Sequence, residues 1–223
     1  MDLSAQLKHI DILQKLPDND QTTLVQSARR RSLKPGEYLC HQGDVWRYVF
    51  WMATGKLRWA MLSAGGREHV LFHIDAGKLF WAHSLFDEQP MPASLSAVER
   101  SLIYLWHADD IQVVLYRNPE VLWEVNRHLV GIMRQARQVI YGLAFQPVAG
   151  RLAHLLLDRF RGKDESTQER DLSLSEIAAT VATSPEVVCR LLHQFQEDGI
   201  LEVTRTTITL RDQTSLEDLV EMD

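Results

Sequence analysis

Two cysteines in 223 residues, Cys40 and Cys189, are too few for a disulfide framework and too few for an iron-sulfur cluster held by four thiolates of one chain. No apolar run reaches 18 residues, because Lys78, His83 and Asp87 interrupt the most apolar stretch, so no segment reads as a membrane span. Met1 to Gln6 lack the basic region and apolar core of an export signal, which sets the expectation of a cytoplasmic chain with no membrane partner. Glycine-rich phosphate loops are missing, as is Gly-x-Ser-x-Gly. His69 and His73 are four apart, but in strand-like surroundings and not on a helical face. The expectation is a non-enzyme with no catalytic residue and no metal site. Net positive charge is missing as well: residues 150–223 hold eight Lys and Arg against fifteen Asp and Glu, a balance of −7 in a chain of −6 overall.

What the chain does contain is ordered. From about residue 33 to 106, apolar and β-branched runs are punctuated by Gly36, Gly43, Gly55, Gly65-Gly66 and Gly77, which predicts short strands in a sandwich or barrel. Asn118-Pro119-Glu120 offers a cap, a first-turn proline and an early carboxylate, and no stop follows before Pro147. The helix between them carries Leu122, Val125, Leu129, Ile132, Ala136, Val139 and Leu143 at alternating steps of three and four, a heptad seam. A second copy packed seam to seam keeps such a stripe dry; burial on the chain's own strands is the alternative. A further helix is expected over Val148 to Phe160, and Gly162 to Arg170 reads as a loop.

Ser173-Leu174-Ser175-Glu176 is a capping box that starts a short helix to Val181. Ser184-Pro185-Glu186 supplies a second start, and the new helix buries Val188, Leu191, Leu192 and Phe195 before Gly199 ends it. Two short helices joined by a tight turn form a helix-turn-helix. The opposite face presents Glu186, Cys189, Arg190, His193 and Gln194, residues that can meet base edges in a major groove; an ion pair between Glu186 and Arg190 is the plainer reading. Ile200 to Val203 and Thr207 to Leu210 suit a two-stranded wing, with Arg205, Thr206 and Arg211 as candidate phosphate contacts. The acidic balance of this half requires a locally basic face if it is to bind DNA.

In order along the chain stand Pro35-Gly36-Glu37 with Gln42-Gly43-Asp44, Gly55-Lys56-Leu57 with Gly65-Gly66-Arg67-Glu68, Leu143-Ala144-Phe145 with Gly150-Arg151-Leu152-Ala153, and Ser184 to Arg190. With these stretches the sequence resembles the Crp/Fnr family over nearly its whole length. The resemblance implies an α+β chain: a β-roll sensor resembling the cyclic-nucleotide-binding jelly roll (1–117), a dimerisation helix (118–144) and a winged helix-turn-helix (145–223). It also implies a homodimer on a two-fold symmetric DNA operator near a promoter, with RNA polymerase as partner. DNA contacts are expected from Ser184, Glu186, Cys189, Arg190, His193 and Arg205. Two departures matter there: Ala182 stands in the turn where relatives often have Gly, and Pro185 replaces an Arg that some relatives use on DNA.

The effector does not carry over with the family. Members that bind cyclic nucleotides have a Glu for the ribose and an Arg for the phosphate; this chain has Trp81-Ala82 and Pro92-Ala93-Ser94 in those stretches, and Ala136-Arg137 where such members have hydroxyl residues. A cyclic nucleotide is therefore disfavoured. Phe80-Trp81-Ala82-His83-Ser84 is similar to the segment that gives a histidine to haem iron in gas-sensing members, which makes His83 a haem candidate, with His69, His73 and His128 behind it; a hydrogen-bonded loop histidine is the alternative. Cys189, near the start of the recognition helix and beside Arg190, suits a redox-responsive switch or a mere space filler. An organic effector among Trp51, Trp59, Phe72, Phe80 and Trp81 is a third reading, against aromatics that are simply core. A ligand-binding module with weakened or lost DNA binding is the rival function.

Overall fold

In the computed structural model, which describes residues 3–161 and 166–221, two short helices come first: α1 (Leu3–Leu7) and α2 (Asp18–Ser27), with a 3-10 turn at Leu13–Lys15 between them. The strand region then yields β1 (Arg29–Leu33), β2 (Tyr38–Cys40), β3 (Tyr48–Thr54), β4 (Lys56–Leu62), β5 (Glu68–Asp75) and β6 (Leu79–Trp81). A one-turn helix α3 (Ser84–Asp87) precedes β7 (Ser94–Ala97), β8 (Ser101–His107) and α4 (Ala108–Arg117). The strands form two four-stranded sheets, ordered β1-β8-β3-β6 and β2-β7-β4-β5, with antiparallel neighbours in the pairs Tyr48 to His107, Val49 to Trp81 and Leu57 to Ala97. Residues 3–62 with 71–135 make one compact unit, and residues 63–70 with the chain from 136 onward make a second.

Alternation along the strands divides the first unit into two cores. Side chains of a strand point to opposite faces in turn. Val49, Trp51 and Ala53 of β3 join Trp81, Tyr104 and Trp106 in a cluster with α1, α2, α4 and the start of α5, the long helix described next. Phe50 and Met52 instead join Phe80, Ile103 and Leu105 with Leu57, Trp59 and Leu95 inside the roll. Trp106 is fully buried and its indole N–H donates to the Leu24 carbonyl at 2.7 Å, which ties α2 to β8. Cys40 lies inside the roll, where burial pushes its thiol up to about 12, so it is an inert core group.

Helix α5 runs over Pro119–Phe145 and divides its apolar residues between two tasks. Val121 and Val125 are buried, and Leu122 and Leu129 pack beside them, so the first turns complete the chain's own core. Met133 is 70% exposed, Ile140 66%, Val130 48% and Leu143 43%. The heptad set divides here: the exposed stripe follows Met133, Ala136, Ile140 and Leu143, whereas Leu129, Ile132 and Val139 are partly buried. Asn118 stands at the helix start, its carbonyl accepting the amides of Val121 at 3.0 Å and Leu122 at 3.1 Å, while its side-chain amide donates to Asp20 at 2.7 Å and to the Val114 carbonyl at 2.8 Å, fastening the helix start to α2 and α4.

The second unit holds α6 (Val148–Phe160), β9 (Thr167–Glu169), α7 (Leu174–Thr180), α8 (Pro185–Glu197), β10 (Leu201–Val203), β11 (Thr207–Leu210) and α9 (Gln213–Glu221). The segment read as a loop contains a strand, since β9 pairs with β11 to widen the wing to the order β10-β11-β9. Gly162, Lys163, Asp164 and Glu165 lie outside the described residues.

One glycine closes the roll. Gly55 has φ +90°, and a Cβ there would lie 2.4 Å from Ser101 Oγ, 2.6 Å from the Arg100 carbonyl oxygen and 2.7 Å from Ser101 Cα. Gly55→Ala is expected to destabilise the protein by about 2–5 kcal/mol through left-handed strain plus overpacking. Calorimetry should show the melting temperature falling by roughly 5–15 °C. Adding Ser101→Ala should not restore it, because two of the three obstructing atoms are backbone.

Candidate functional site

The helix-turn-helix is built by local hydrogen bonds. Ser173 Oγ accepts the Glu176 amide at 3.2 Å and the Glu176 carboxylate accepts the Ser173 amide at 2.8 Å, which starts α7. Val181 N–H donates to Ile177 and Thr183 N–H to Ala178, each at 2.9 Å, and the turn takes Ala182 to φ +53°. Ser184 occupies the N-cap of α8 with Pro185 in the first turn, as expected, but its hydroxyl caps no backbone amide and bonds the Glu186 carboxylate instead. That hydroxyl, followed by the residue's own backbone N–H, holds the Glu186 carboxyl below the usual carboxylate range, so it stays an acceptor.

Along α8 the buried residues Val188, Leu192 and Phe195 define one side and the exposed Glu186, Arg190, His193 and Gln194 the other. Cys189 is half-buried between the two sides. Among the described residues no ion pair joins Glu186 to Arg190, so the plainer reading of that pair is not what forms. Arg205 is exposed at the tip of the wing, where Thr204 Oγ1 accepts the amides of Thr206 at 3.3 Å and Thr207 at 3.0 Å. Arg211, expected on phosphate, is instead paired with Glu202.

Sequence reasoning passed over Arg151, the residue that holds this unit in register. Its guanidinium donates to the Val181 carbonyl at 3.0 Å and the Gln146 carbonyl at 2.8 Å, linking the end of α7 to the residues before α6. Burial holds its pKa below the ordinary arginine value. Beside it, a Cβ on Gly150 would come within 2.7 Å of the Leu219 carbonyl oxygen, so only glycine lets α6 meet α9 at this distance. His69, at the start of β5, donates from Nδ1 to the Ala179 carbonyl at 2.9 Å, and its Nε2 is buried without a partner.

The first unit contains a cavity of about 250 Å³. Trp59, Phe72, Phe80 and Trp81 line it from the strands, and Leu129, Ile132 and Met133 from α5. His83, Phe86 and Asp87 complete it around α3. Four of the five aromatics named from sequence are there; Trp51 is not, and packs in the helix-covered core. His83 stacks on Trp59 with ring centroids 5.2 Å apart at 26°. Its edge stays open to solvent, yet the groups packed around it hold its pKa below the ordinary histidine value, with Asp87 opposing. His128 lies on α5 outside the lining, depressed by burial and then by Lys78. The cavity residues missed from sequence are Phe86, Asp87 and the three from α5; the four-residue spacing of His83 and Asp87 was the available signal for one of them.

Residues 30–118 match the model of the cyclic nucleotide-binding domain, and residues 150–219 match that of the Crp-like helix-turn-helix domain. The cyclic AMP receptor protein of Thermus thermophilus is 31% identical over 192 residues, covering 86% of this chain and 88% of that protein. The chain belongs to the Crp/Fnr family. It is a DNA-binding transcription regulator of that type. Structures of FixK2 from Bradyrhizobium japonicum and of a CooA variant from Carboxydothermus hydrogenoformans share the fold, each with a TM-score of 0.76. They are 21% and 23% identical, over 88% and 90% of this chain and 98% and 90% of theirs.

As a Crp/Fnr protein this chain departs from two effector chemistries. Ala82, Met91 and Ala93 are buried in the roll's core cluster, so apolar packing fills the stretches where a cyclic nucleotide would need its Glu and Arg. Haem fits the lining no better. His83 offers a neutral imidazole, but the lining includes no Lys or Arg to meet propionates, and Asp87 would repel them. The cavity is also smaller than the ~300–1,000 Å³ of sites for drug-sized ligands, and a porphyrin is larger than most of those.

The strained turn supplies a test of the helix-turn-helix geometry. Ala182→Gly removes left-handed strain at an exposed position and should stabilise the protein by up to about 1 kcal/mol, net of glycine's entropy. A melting temperature unchanged or lowered in Ala182→Gly would contradict the turn conformation.

Proposed function

We propose that this regulator binds a two-fold symmetric operator as a homodimer, reads bases through Arg190, and answers to an effector held in the aromatic cavity that is neither a cyclic nucleotide nor haem. The observation that carries the effector reading is the shared wall: Leu129, Ile132 and Met133 face the cavity from the helix whose remaining stripe is open. A ligand that contacts α5 differently in two states shifts the balance between them by that difference in affinity. The protein's contacts with RNA polymerase and the direction of its regulation follow from where its operator lies.

The dimer reading rests on Met133 and Ile140, large apolar side chains left in water at heptad spacing. Covering them with the same stripe of a second copy removes that exposed surface, and it places two recognition helices on one axis, as a symmetric half-site pair requires. Leu129, Ile132 and Met133 line the cavity, so substitutions there report on the effector and not on the seam alone. Ile140→Lys with Leu143→Lys should give monomers and abolish tight operator binding together; sedimentation showing an intact dimer would refute the seam.

Base readout rests on the commitment of the opposite side of α8 to the core, which sends the Arg190 side chain outward with no ion-pair partner among the described residues. An Arg in a major groove can make two hydrogen bonds to one guanine, worth about 1–3 kcal/mol of discrimination. Binding-site selection with Arg190→Ala should therefore show lost preference at one symmetric base pair per half-site. Arg205→Ala should weaken all sequences alike and lower the salt slope by about one per subunit. If Arg190→Ala keeps the parent's base preferences, readout belongs to Glu186, His193 or DNA shape.

A further inference from the structure

The cavity in the first unit selects for charge as well as size. Its room, about 250 Å³, exceeds the ~150 Å³ that accommodates one benzene ring, so a two-ring aromatic or a substituted single ring fills it. Its strand-side and α3 walls are dominated by aromatic residues, a ring type whose faces carry negative quadrupole density and attract cations. No Lys or Arg is among its lining residues, so an anionic ligand would enter without a charge-assisted donor. The buried indole N–H groups of Trp59 and Trp81 lack acceptors, but neither atom has exposed surface through which to meet a ligand. The polar choice therefore falls to Asp87 and His83. Asp87 accepts the Gln89 amide at 3.0 Å and has no cationic partner among the described residues.

Resting on the effector reading above, we propose that the cavity binds a small aromatic amine, its rings among Trp59, Phe72 and Phe80 and its ammonium group at Asp87. A neutral His83, stacked on Trp59, then stands next to the ammonium without repelling it. The ligand's far side meets Ile132 and Met133, so occupancy is felt directly by α5.

Three probes of one ring system separate the contributions: tryptamine as the cation, indole as the neutral core and indole-3-acetate as the anion. Calorimetry on the full chain should show tryptamine binding at least about tenfold tighter than indole, and indole-3-acetate at least about tenfold weaker than indole. Asp87→Asn, at an exposed position where folding is not at risk, should erase the tryptamine advantage and leave indole affinity unchanged. The proposal is overturned if indole-3-acetate matches tryptamine, if Asp87→Asn keeps the advantage, or if none of the three binds. Operator binding measured on the same preparations keeps the two readings apart. Loss of DNA binding would count against the regulator reading, whereas intact DNA binding with no amine response, and no response to the other two probes, would count against the ligand alone.

Discussion

Burial of both faces of the β1-β8-β3-β6 sheet is the constraint on which the N-terminal unit depends. Because successive side chains of a strand alternate, Val49, Trp51 and Trp106 need cover on the face away from the roll, and the helices supply it. That demand captures the first turns of α5, which is why Val121 and Val125 are buried in a single chain while Met133 and Ile140 are not. The cavity lies farther along the same helix, where Leu129, Ile132 and Met133 meet the ring-bearing ends of the strands. One helix therefore serves as core, as cavity wall and as exposed apolar stripe in succession.

Ion pairs take up several acidic side chains of the second unit without altering its net charge. Asp171 is paired with Arg159, Asp158 with Arg161 and Glu202 with Arg211. These pairs occupy arginines that might have been counted toward DNA, and they leave Arg190 and Arg205 exposed on α8 and the wing tip. Attraction to DNA from a distance is then weak, and binding rests on short-range contacts within a Debye length, about 8 Å at physiological salt. Such a protein should be unusually dependent on shape and base contacts for its affinity.

The elements with their own start and stop signals were legible in the sequence. The capping box at Ser173, the first-turn proline at Pro185 and Gly199 at φ +73° all act within one turn of where they stand, so α7 and α8 follow from local chemistry. Helix α6 was legible from its apolar face instead, where Leu152 and Leu156 are buried. Strand β9 was not, because Thr167, Gln168 and Glu169 carry no apolar alternation and become a strand only by pairing with β11. Ser184 takes the N-cap position read from the sequence, but its hydroxyl bonds no backbone amide there.

Sequence by itself determined the order of the parts: a roll punctuated by glycines, a heptad helix and a capped helix-turn-helix, each specified by residues within a few positions of one another. It also set the expectation against a cyclic nucleotide and against a four-thiolate cluster, since two cysteines are two in any fold. Tertiary structure alone decided which half of the seam is spent on the chain's own core, because a heptad stripe looks the same whether a strand or a second helix covers it. It alone brought Asp87, Phe86 and Met133 to one cavity with Trp59, since residues more than seventy positions apart share a wall only through the packing of β4, α3 and α5. Charge and size at that wall are properties of the assembled surface, which no single segment of the chain contains.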